Sequence, residues 1–310
     1  MSRCILGLGV TLALLLSGCD DVPLLDRGPP PTPTSLVQPY DDAIATAEVE
    51  AEPTVQAGTY YERANFLLDQ GNNEGAIADY TRAIELDPGN SRAWNNRGLA
   101  HANLEQTEQA LSDYAKAIEF DPGYIRAYKN RLLIVEQQRD LQAMARDYGA
   151  LAKLEEDNAD AYYYAQGNAL QESGDLVGAR VAYDAAIAAD PEQVDALYNR
   201  AVINFTENEL EAARIDLDSA IEMSPRAANA YYARGLLHNA RGDQQRAIGD
   251  FTRALELQPA YPEALLGRAT VYQEIGEADN ARADLESLSQ QELDETLEFA
   301  IDVLRQQVED

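Results

Sequence analysis

Residues 79–122 read DYTRAIELDPGNSRAWNNRGLAHANLEQTEQALSDYAKAIEFDP, and the fold follows from the pattern within them. The stretch opens with one Asp-Tyr-x-x-Ala-Ile-Glu-x-Asp-Pro phrase and closes with a second one, 34 residues later. A fixed period of that length is typical of a solenoid built from stacked helix pairs. The sequence therefore predicts an all-α fold in which each period is one helix–turn–helix unit.

The prolines that close these phrases extend the period along the chain. Four intervals separate Pro88, Pro122, Pro191, Pro225 and Pro259, and they measure 34, 69, 34 and 34 residues. The interval of 69 hides one unit that lacks its proline and carries one extra residue. Counting back 31 residues from each marker gives seven units, which begin at Ala57, Ser91, Ile125, Asp160, Val194, Ala228 and Pro262.

Residue types recur at fixed positions of these units. The eighth residue is small in every unit except the third, which has Leu132, and the twentieth is Ala except for Met144. The twenty-fourth residue is large, as in Tyr80 and Phe251. Small residues let two antiparallel helices approach, and one large side chain then fills the space beside them. Each unit alone would leave an apolar face uncovered, so neighbouring units must stack.

A pair of opposite charges recurs as well. The seventh residue is Arg and the twenty-third is Asp in six of the seven units, whereas the fourth unit has Gln166 and Ala182. Because both members disappear together, we expect an ion pair between the helices of a unit or of adjacent units. This explanation is structural rather than functional.

The register of these markers resembles the tetratricopeptide repeat (TPR) family over residues 57 to about 295. The resemblance implies a right-handed superhelix of about seven repeats over residues 57–289. The segment 290–310 is expected to be a capping helix with an acidic tail. It also implies a concave face lined by the first helix of each unit, where partner peptides bind.

Candidate groove residues follow from that frame at the second, fifth, sixth and ninth positions of the units. Tyr supplies rigid contact area with a polar tip, and Asn can hydrogen-bond an extended backbone in both senses. The alternative, that the tyrosines pack between units, stays open. The predicted groove residues are Tyr61, Asn65, Arg92, Asn96, Arg126, Tyr164, Asn168, Tyr198, Asn199 and Tyr232.

Some TPR co-chaperones bind C-terminal carboxylates through a clamp of asparagines and basic residues. Asn65, Asn96 and Arg126 match that pattern, but Tyr61 and Asn130 stand where basic residues are expected. The clamp is incomplete, which argues against carboxylate capture.

Residues 1–18 are predicted to be a targeting signal. Arg3 precedes a 13-residue apolar core, Cys4–Leu16, which is too short to span a bilayer comfortably. The following Leu16-Ser17-Gly18-Cys19 resembles the lipobox of bacterial lipoproteins, so residues 1–18 are expected to be removed and Cys19 to be lipidated. An ordinary secretory signal with an incidental cysteine is the alternative. The resemblance places the protein in a bacterial envelope, facing the periplasm, and Asp20 favours the inner membrane over the outer one.

Residues 19–56 are predicted to be an extended, solvated tether. Seven of the 13 prolines lie between Val22 and Pro53, acidic residues follow them, and no apolar period is visible.

The composition limits the classes of partner that the protein is expected to bind. The formal net charge of −30 argues against nucleic acid, whose binding depends on Lys and Arg, and favours basic protein segments. No phosphate-binding loop or nucleophile–base motif is present, and the two histidines, His101 and His238, share one repeat position. We therefore expect no enzyme activity and no cofactor. The predicted function is a scaffold for envelope proteins; alternatives are a dedicated subunit of an envelope assembly or secretion complex, and a homodimer with occupied grooves.

Overall fold

The computed structural model describes residues 33–50, 52–289 and 295–309, and in these ranges it contains helices and no strands. Within residues 53–289, adjacent helices are antiparallel neighbours joined by short turns. In chain order they are α1 (Pro33–Glu50), α2 (Pro53–Asp69), α3 (Asn73–Leu86), α4 (Ser91–Asn103), α5 (Thr107–Phe120), α6 (Ile125–Gln138), α7 (Leu141–Leu154), α8 (Ala159–Glu172), α9 (Leu176–Ala189), α10 (Val194–Thr206), α11 (Leu210–Met223), α12 (Ala228–Ala240), α13 (Gln244–Leu257), α14 (Pro262–Glu274), α15 (Ala278–Leu288) and α16 (Glu295–Glu309).

Each predicted unit is one pair of helices, from α2–α3 in unit 1 to α14–α15 in unit 7, which confirms the all-α solenoid. The turn inside a pair contains one residue in the left-handed conformation, such as Gly71 with φ 75° or Asn208 with φ 62°. The second helix then stops before the Asp-Pro phrase: α3 ends at Leu86, and Asp87 closes it by donating its backbone N–H to the carbonyl of Ala83. Proline has no N–H with which to continue the helix.

The small eighth residues lie directly under the large twenty-fourth residues. A Cβ atom added to Gly98 would stand 2.8 Å from the Tyr114 ring, and one added to Gly167 would stand 2.5 Å from the Tyr183 ring. Both tyrosine side chains are fully buried. At these two positions glycine is required, because the helix backbone touches an aromatic ring.

The predicted ion pairs form inside each of the six units that carry them. In unit 6, Arg234 donates from Nε and Nη2 to the two carboxylate oxygens of Asp250, each over 2.8 Å. The same guanidinium donates from Nη1 to Asp218 of the preceding unit over 2.8 Å. One arginine therefore joins the two helices of its own unit and connects them to the unit before.

Unit 3 packs differently from the others. Its second helix, α7, is in more extensive contact with α8 of the next unit than with its own partner α6, the reverse of every other unit. Leu132 and Met144 replace the small residues that let two helices approach. Gly149 of α7, in contrast, touches Gln166 of α8 so closely that a Cβ would lie 2.4 Å from its Nε2. Because unit 3 lacks these small residues, α7 makes its closest helix contact with α8 of the next unit rather than with α6 of its own unit.

The expectation of an extended tether is wrong for Pro33–Glu50, which form α1, and for residues 53–56, which begin α2. Ile44 and Ala47 are buried against the first repeat, and the rings of Tyr40 and Phe66 are 5.3 Å apart. Arg63 of α2 also donates to Asp41 over 2.6 Å. These contacts stabilise a helix that its proline content does not favour.

At the other end, α16 packs on α14 and α15 and buries Ile301, Leu304 and Val308. Residues 1–32, including the expected signal segment and Cys19, lie outside the described residues. None of the described helices is long and apolar enough to cross a membrane.

A paired substitution tests how much helix capping contributes. Asp140 precedes α7 and accepts the backbone N–H of Ala143 over 3.0 Å, whereas Asp243 precedes α13 and makes no such bond. Asp140→Ala is expected to lower the free energy of unfolding by about 0.5–2 kcal/mol. Asp243→Ala, the control, should change it by less than about 0.5 kcal/mol. Equal effects in urea denaturation would show that lost charge, not the cap, is responsible.

Candidate functional site

The ten predicted groove residues all lie on first helices of the units. Tyr61 and Asn65 are on α2, Arg92 and Asn96 on α4, Arg126 on α6, Tyr164 and Asn168 on α8, Tyr198 and Asn199 on α10, and Tyr232 on α12. Arg92 and Arg126 are exposed, and the other eight side chains are partly buried. The first helices contact one another at both ends of the array, in the series α2–α4–α6 and α10–α12–α14. A continuous face of first helices therefore exists at each end.

At the N-terminal end, a polar network ties unit 1 to unit 2. Tyr80 donates its hydroxyl to Oδ1 of Asn65 over 2.7 Å, and Asn96 donates to the same oxygen over 3.0 Å. Asn96 also reaches the hydroxyl of Tyr61 at 3.4 Å. The Tyr61 ring lies 5.9 Å from that of Tyr80. These side chains position the two first helices relative to each other.

The same network recurs between units 4 and 5. Tyr183 donates to Oδ1 of Asn168 over 2.8 Å, and Asn199 donates to that oxygen over 3.0 Å. The Tyr164 ring stands 6.1 Å from that of Tyr183. The asparagines are thus engaged within the chain, with one amide oxygen in each network accepting two bonds. The tyrosines at the fifth position lie beside them.

Toward the C-terminus the polar network gives way to a group of tyrosines. The rings of Tyr232 and Tyr261 are 5.1 Å apart, and Tyr232 also lies 5.9 Å from Phe251. Burial raises the pKa of Tyr232 to about 12, and the charges of Glu263 and Tyr198 contribute to the rise. Burial likewise raises the pKa of Tyr198. This end of the face is therefore apolar, with a carboxylate beside it.

Tyr261 and Tyr124 are two residues of this face that the repeat frame missed. Burial raises the pKa of Tyr124, and the charge of Tyr61 adds to the rise, whereas Arg126 and Arg92 lower it. Each missed tyrosine directly precedes a first helix, as the last residue of units 2 and 6. The recurrence of tyrosine as the last residue of a unit is the signal by which the sequence could have identified both residues.

Charge is distributed unevenly along the first helices. Arg92 and Arg126 are exposed at the second position of units 2 and 3, and both lower the pKa of Tyr124. Burial is the main cause of the raised pKa values of Tyr164 and Tyr261 in the C-terminal part of the face. Asp195 of unit 5 also raises the pKa of Tyr164. Glu263 of unit 7 raises that of Tyr261, with a smaller effect than two other tyrosines. The N-terminal part of the face is therefore basic and the C-terminal part is acidic.

The two histidines lie next to structural ion pairs. Nε2 of His101 is 3.8 Å from Asp113, and Nε2 of His238 is 3.7 Å from Asp250. Asn204, at the same repeat position, donates to Asp216 over 3.1 Å. In units 2, 5 and 6 the residue at this position therefore contacts the Asp of the ion pair.

The profile named Tetratricopeptide repeat matches residues 61–125, 164–228, 213–262 and 232–294, which together cover more than half of the sequence. The chain belongs to the tetratricopeptide repeat family. TPR units assemble into scaffolds for protein–protein interaction, and this chain has that architecture. No curated protein sequence matches it.

Solved structures of related fold differ in how well they superpose on this chain. The structure of Naa15/Naa10 bound to HypK-THB superposes with a TM-score of 0.59 at 16% identity, over 82% of this chain and 40% of that one. YrrB, described as a TPR protein with an unusual peptide-binding site, gives 0.48 at 20% identity, over 60% and 95%. A TPR protein from Parabacteroides merdae gives 0.43 at 16% identity, over 82% and 99%. At these identities the likeness concerns the fold alone.

Proposed function

We propose that this TPR protein is a non-catalytic, lipid-anchored adaptor of the bacterial cell envelope that captures segments of partner proteins on its first-helix face. The observation that carries the proposal is the series of partly buried tyrosines at the fifth position of the units. Tyr164, Tyr198 and Tyr232 combine apolar area with a polar hydroxyl, as interface anchors do. Their rings are held by neighbouring side chains, which lowers the entropy lost on binding.

The charges beside these tyrosines indicate which segments fit. Asp195 and Glu263 are exposed carboxylates at the second position of units 5 and 7. They favour Lys or Arg in the segment that contacts the C-terminal part of the face. Arg92 and Arg126 favour a carboxylate at the other end. The preferred ligand is therefore an extended or helical segment with basic residues at the Tyr198–Tyr232–Tyr261 end.

The proposed location is supported by the sequence. Leu16-Ser17-Gly18-Cys19 follows a short apolar core, as acylated envelope proteins require, and more than one acyl chain gives stable anchoring. Whether the protein is in the inner or the outer membrane is left to fractionation, with Asp20 favouring the inner one.

A pull-down from crosslinked envelope membranes tests the proposal. The triple variant Tyr164→Ala, Tyr198→Ala, Tyr232→Ala is expected to lose specific partners by about tenfold or more, because truncated aromatic anchors cost at least about 1–2 kcal/mol each. The control replaces Phe120 and Met223, which are exposed at the ends of second helices, by Ala. Circular dichroism must show that every variant keeps its helices.

A second variant separates binding from stability. Asp195→Lys with Glu263→Lys changes only side chains that reach solvent, so the fold should persist while basic partners are lost. Unchanged capture by both variants would contradict the proposal. A single stoichiometric partner in the wild-type pull-down would favour the dedicated subunit of an envelope complex over a general adaptor.

A further inference from the structure

The missing ion pair of unit 4 leaves an opening between two second helices. Where units 5 and 2 carry the Arg–Asp pair, the openings are about 380 Å³ beside Arg200–Asp216 and about 350 Å³ beside Arg97–Asp113. Between α7 and α9, with α8 beneath them, the opening is about 770 Å³. Gln166 and Ala182 line it where an arginine and an aspartate would stand. We call it the α7–α9 groove.

The α7–α9 groove is walled by small and apolar side chains. Gly149, Gly178 and Ala185 keep it open, and Leu154 and Val181 line it. Val181 is 63% exposed, which is high for an aliphatic side chain in a folded protein. Val177, one turn earlier on α9, is 62% exposed. Contiguous exposed apolar surface of this kind marks interaction sites.

Two cations line the same groove. Arg146 and Lys153 of α7 are exposed, and neither forms an ion pair with a described carboxylate. The chain carries 54 acidic residues against 24 basic ones, and most arginines of the units are in ion pairs. Unpaired cations beside an apolar groove fit an occupant that carries carboxylates next to apolar side chains.

The terminal helix α16 offers that combination. Its inner face buries Ile301 and Leu304, while Phe299 is 73% exposed and Val303 is 43% exposed. Phe299 and Val303 are four residues apart and so share one face of the helix. A terminal repeat normally presents a polar outer face to water.

Carboxylates flank this apolar pair. Glu298 and Asp302 each precede one of its members in the sequence, and both are exposed. The outer face of α16 therefore matches the α7–α9 groove in apolar character and is opposite to it in charge.

We propose that α16 of a second copy of this chain docks in the α7–α9 groove. Phe299 and Val303 cover Val181 and Leu154, and Glu298 and Asp302 face Arg146 and Lys153. The contact joins different surfaces of the two copies. It is independent of the first-helix face, so an assembled protein keeps that face free for partners.

The test is sedimentation of the full chain over a wide range of concentrations, in a mild detergent that keeps an acylated N-terminus in solution. The wild-type mass is expected to rise with concentration. Phe299→Ser and Val181→Ser should each weaken association by about tenfold or more, as the loss of a central apolar anchor does. Both side chains are exposed, so neither change should alter the fold.

Ile215→Ser is the matched control. Ile215 occupies in unit 5 the position that Val181 has in unit 4 and is 53% exposed, but it lies beside an intact Arg–Asp pair. This variant is expected to associate like the wild type.

A mixing experiment identifies the two surfaces. Phe299→Ser keeps an intact groove and Val181→Ser keeps an intact α16, so an equimolar mixture should regain association that each variant lacks alone. A wild-type chain that stays monomeric overturns the proposal. So does a mixture that associates no better than its components, or an Ile215→Ser variant that is equally impaired. Groove occupation by an acidic helix of another protein, with no self-association, would also overturn it.

Discussion

Replacing Arg131 by alanine is expected to lower the free energy of unfolding by about 3–5 kcal/mol, because it leaves a buried carboxylate without a counter-charge. Asp147 is 1% exposed and accepts a hydrogen bond from Nε of Arg131 over 2.8 Å. Within the described part of the chain, Arg131 is the ion-pair partner of this carboxylate. Urea denaturation followed by circular dichroism, with hydrogen exchange at α6 and α7, measures the loss.

The fourth unit shows how the cost can be avoided. It replaces both members of the pair, with Gln166 and Ala182, and still folds into α8 and α9. The double variant Arg131→Gln, Asp147→Ala copies that solution and should be more stable than Arg131→Ala alone, because no charge stays buried. Lys116→Ala breaks an exposed pair with Glu119 and should cost about 0–1 kcal/mol. If the losses of unfolding free energy caused by the Arg131 and Asp147 changes simply added in the double variant, the two side chains would not be coupled, which would contradict the pairing.

Phe251→Ala is expected to lower the free energy of unfolding by about 3–5 kcal/mol, since it removes a fully buried ring and leaves a cavity between units 6 and 7. The ring touches two backbones: added Cβ atoms would lie 2.7 Å away at Gly235 and 2.9 Å away at Gly267. Thermal and urea denaturation measure the effect. Leu133→Ala, at a side chain that is 62% exposed, is the control and should stay within about 0.5 kcal/mol.

Gly267→Ala tests the same contact a second time, because it is expected to destabilise the wild type and to stabilise the Phe251→Ala variant. In the wild type the new methyl group collides with the Phe251 ring and should cost about 1–3 kcal/mol. In the Phe251→Ala background the space is free, and the better helix propensity of alanine should stabilise by about 1 kcal/mol. An effect of Gly267→Ala that has the same sign in both backgrounds would show that the ring and the glycine do not constrain each other.

Much of the fold follows from residues that recur every 34 positions. The period sets the length of a helix pair. Small residues at the eighth and twentieth positions specify close packing, and the Arg and Asp that vanish together in unit 4 indicate their own contact. These inferences depend on local spacing and on pairwise chemistry, both of which a sequence displays. Seven helix pairs and six ion pairs follow from them.

The contacts within the candidate site could be predicted less well from the spacing of residues. The frame placed ten residues on first helices, but it could not show that Asn65 and Asn168 accept hydrogen bonds from tyrosines of second helices. It also missed Tyr124 and Tyr261, which join the face only because the turn before each first helix directs them there. Contacts between units depend on stacking geometry, which no single unit encodes.

Residue type at a fixed spacing is enough to specify the repeat, the helix pairs and the ion pairs, and composition is enough to specify the acidic character of the protein. Two further features arise only when distant segments pack together. Proline-containing residues 33–50 form α1, because burial of Ile44 and the Arg63–Asp41 bond offset a weak helix propensity. The α7–α9 groove opens where Gln166 and Ala182 replace the ion pair of unit 4 and α7 of the preceding unit forms the opposite wall, an arrangement that depends on how neighbouring units stack.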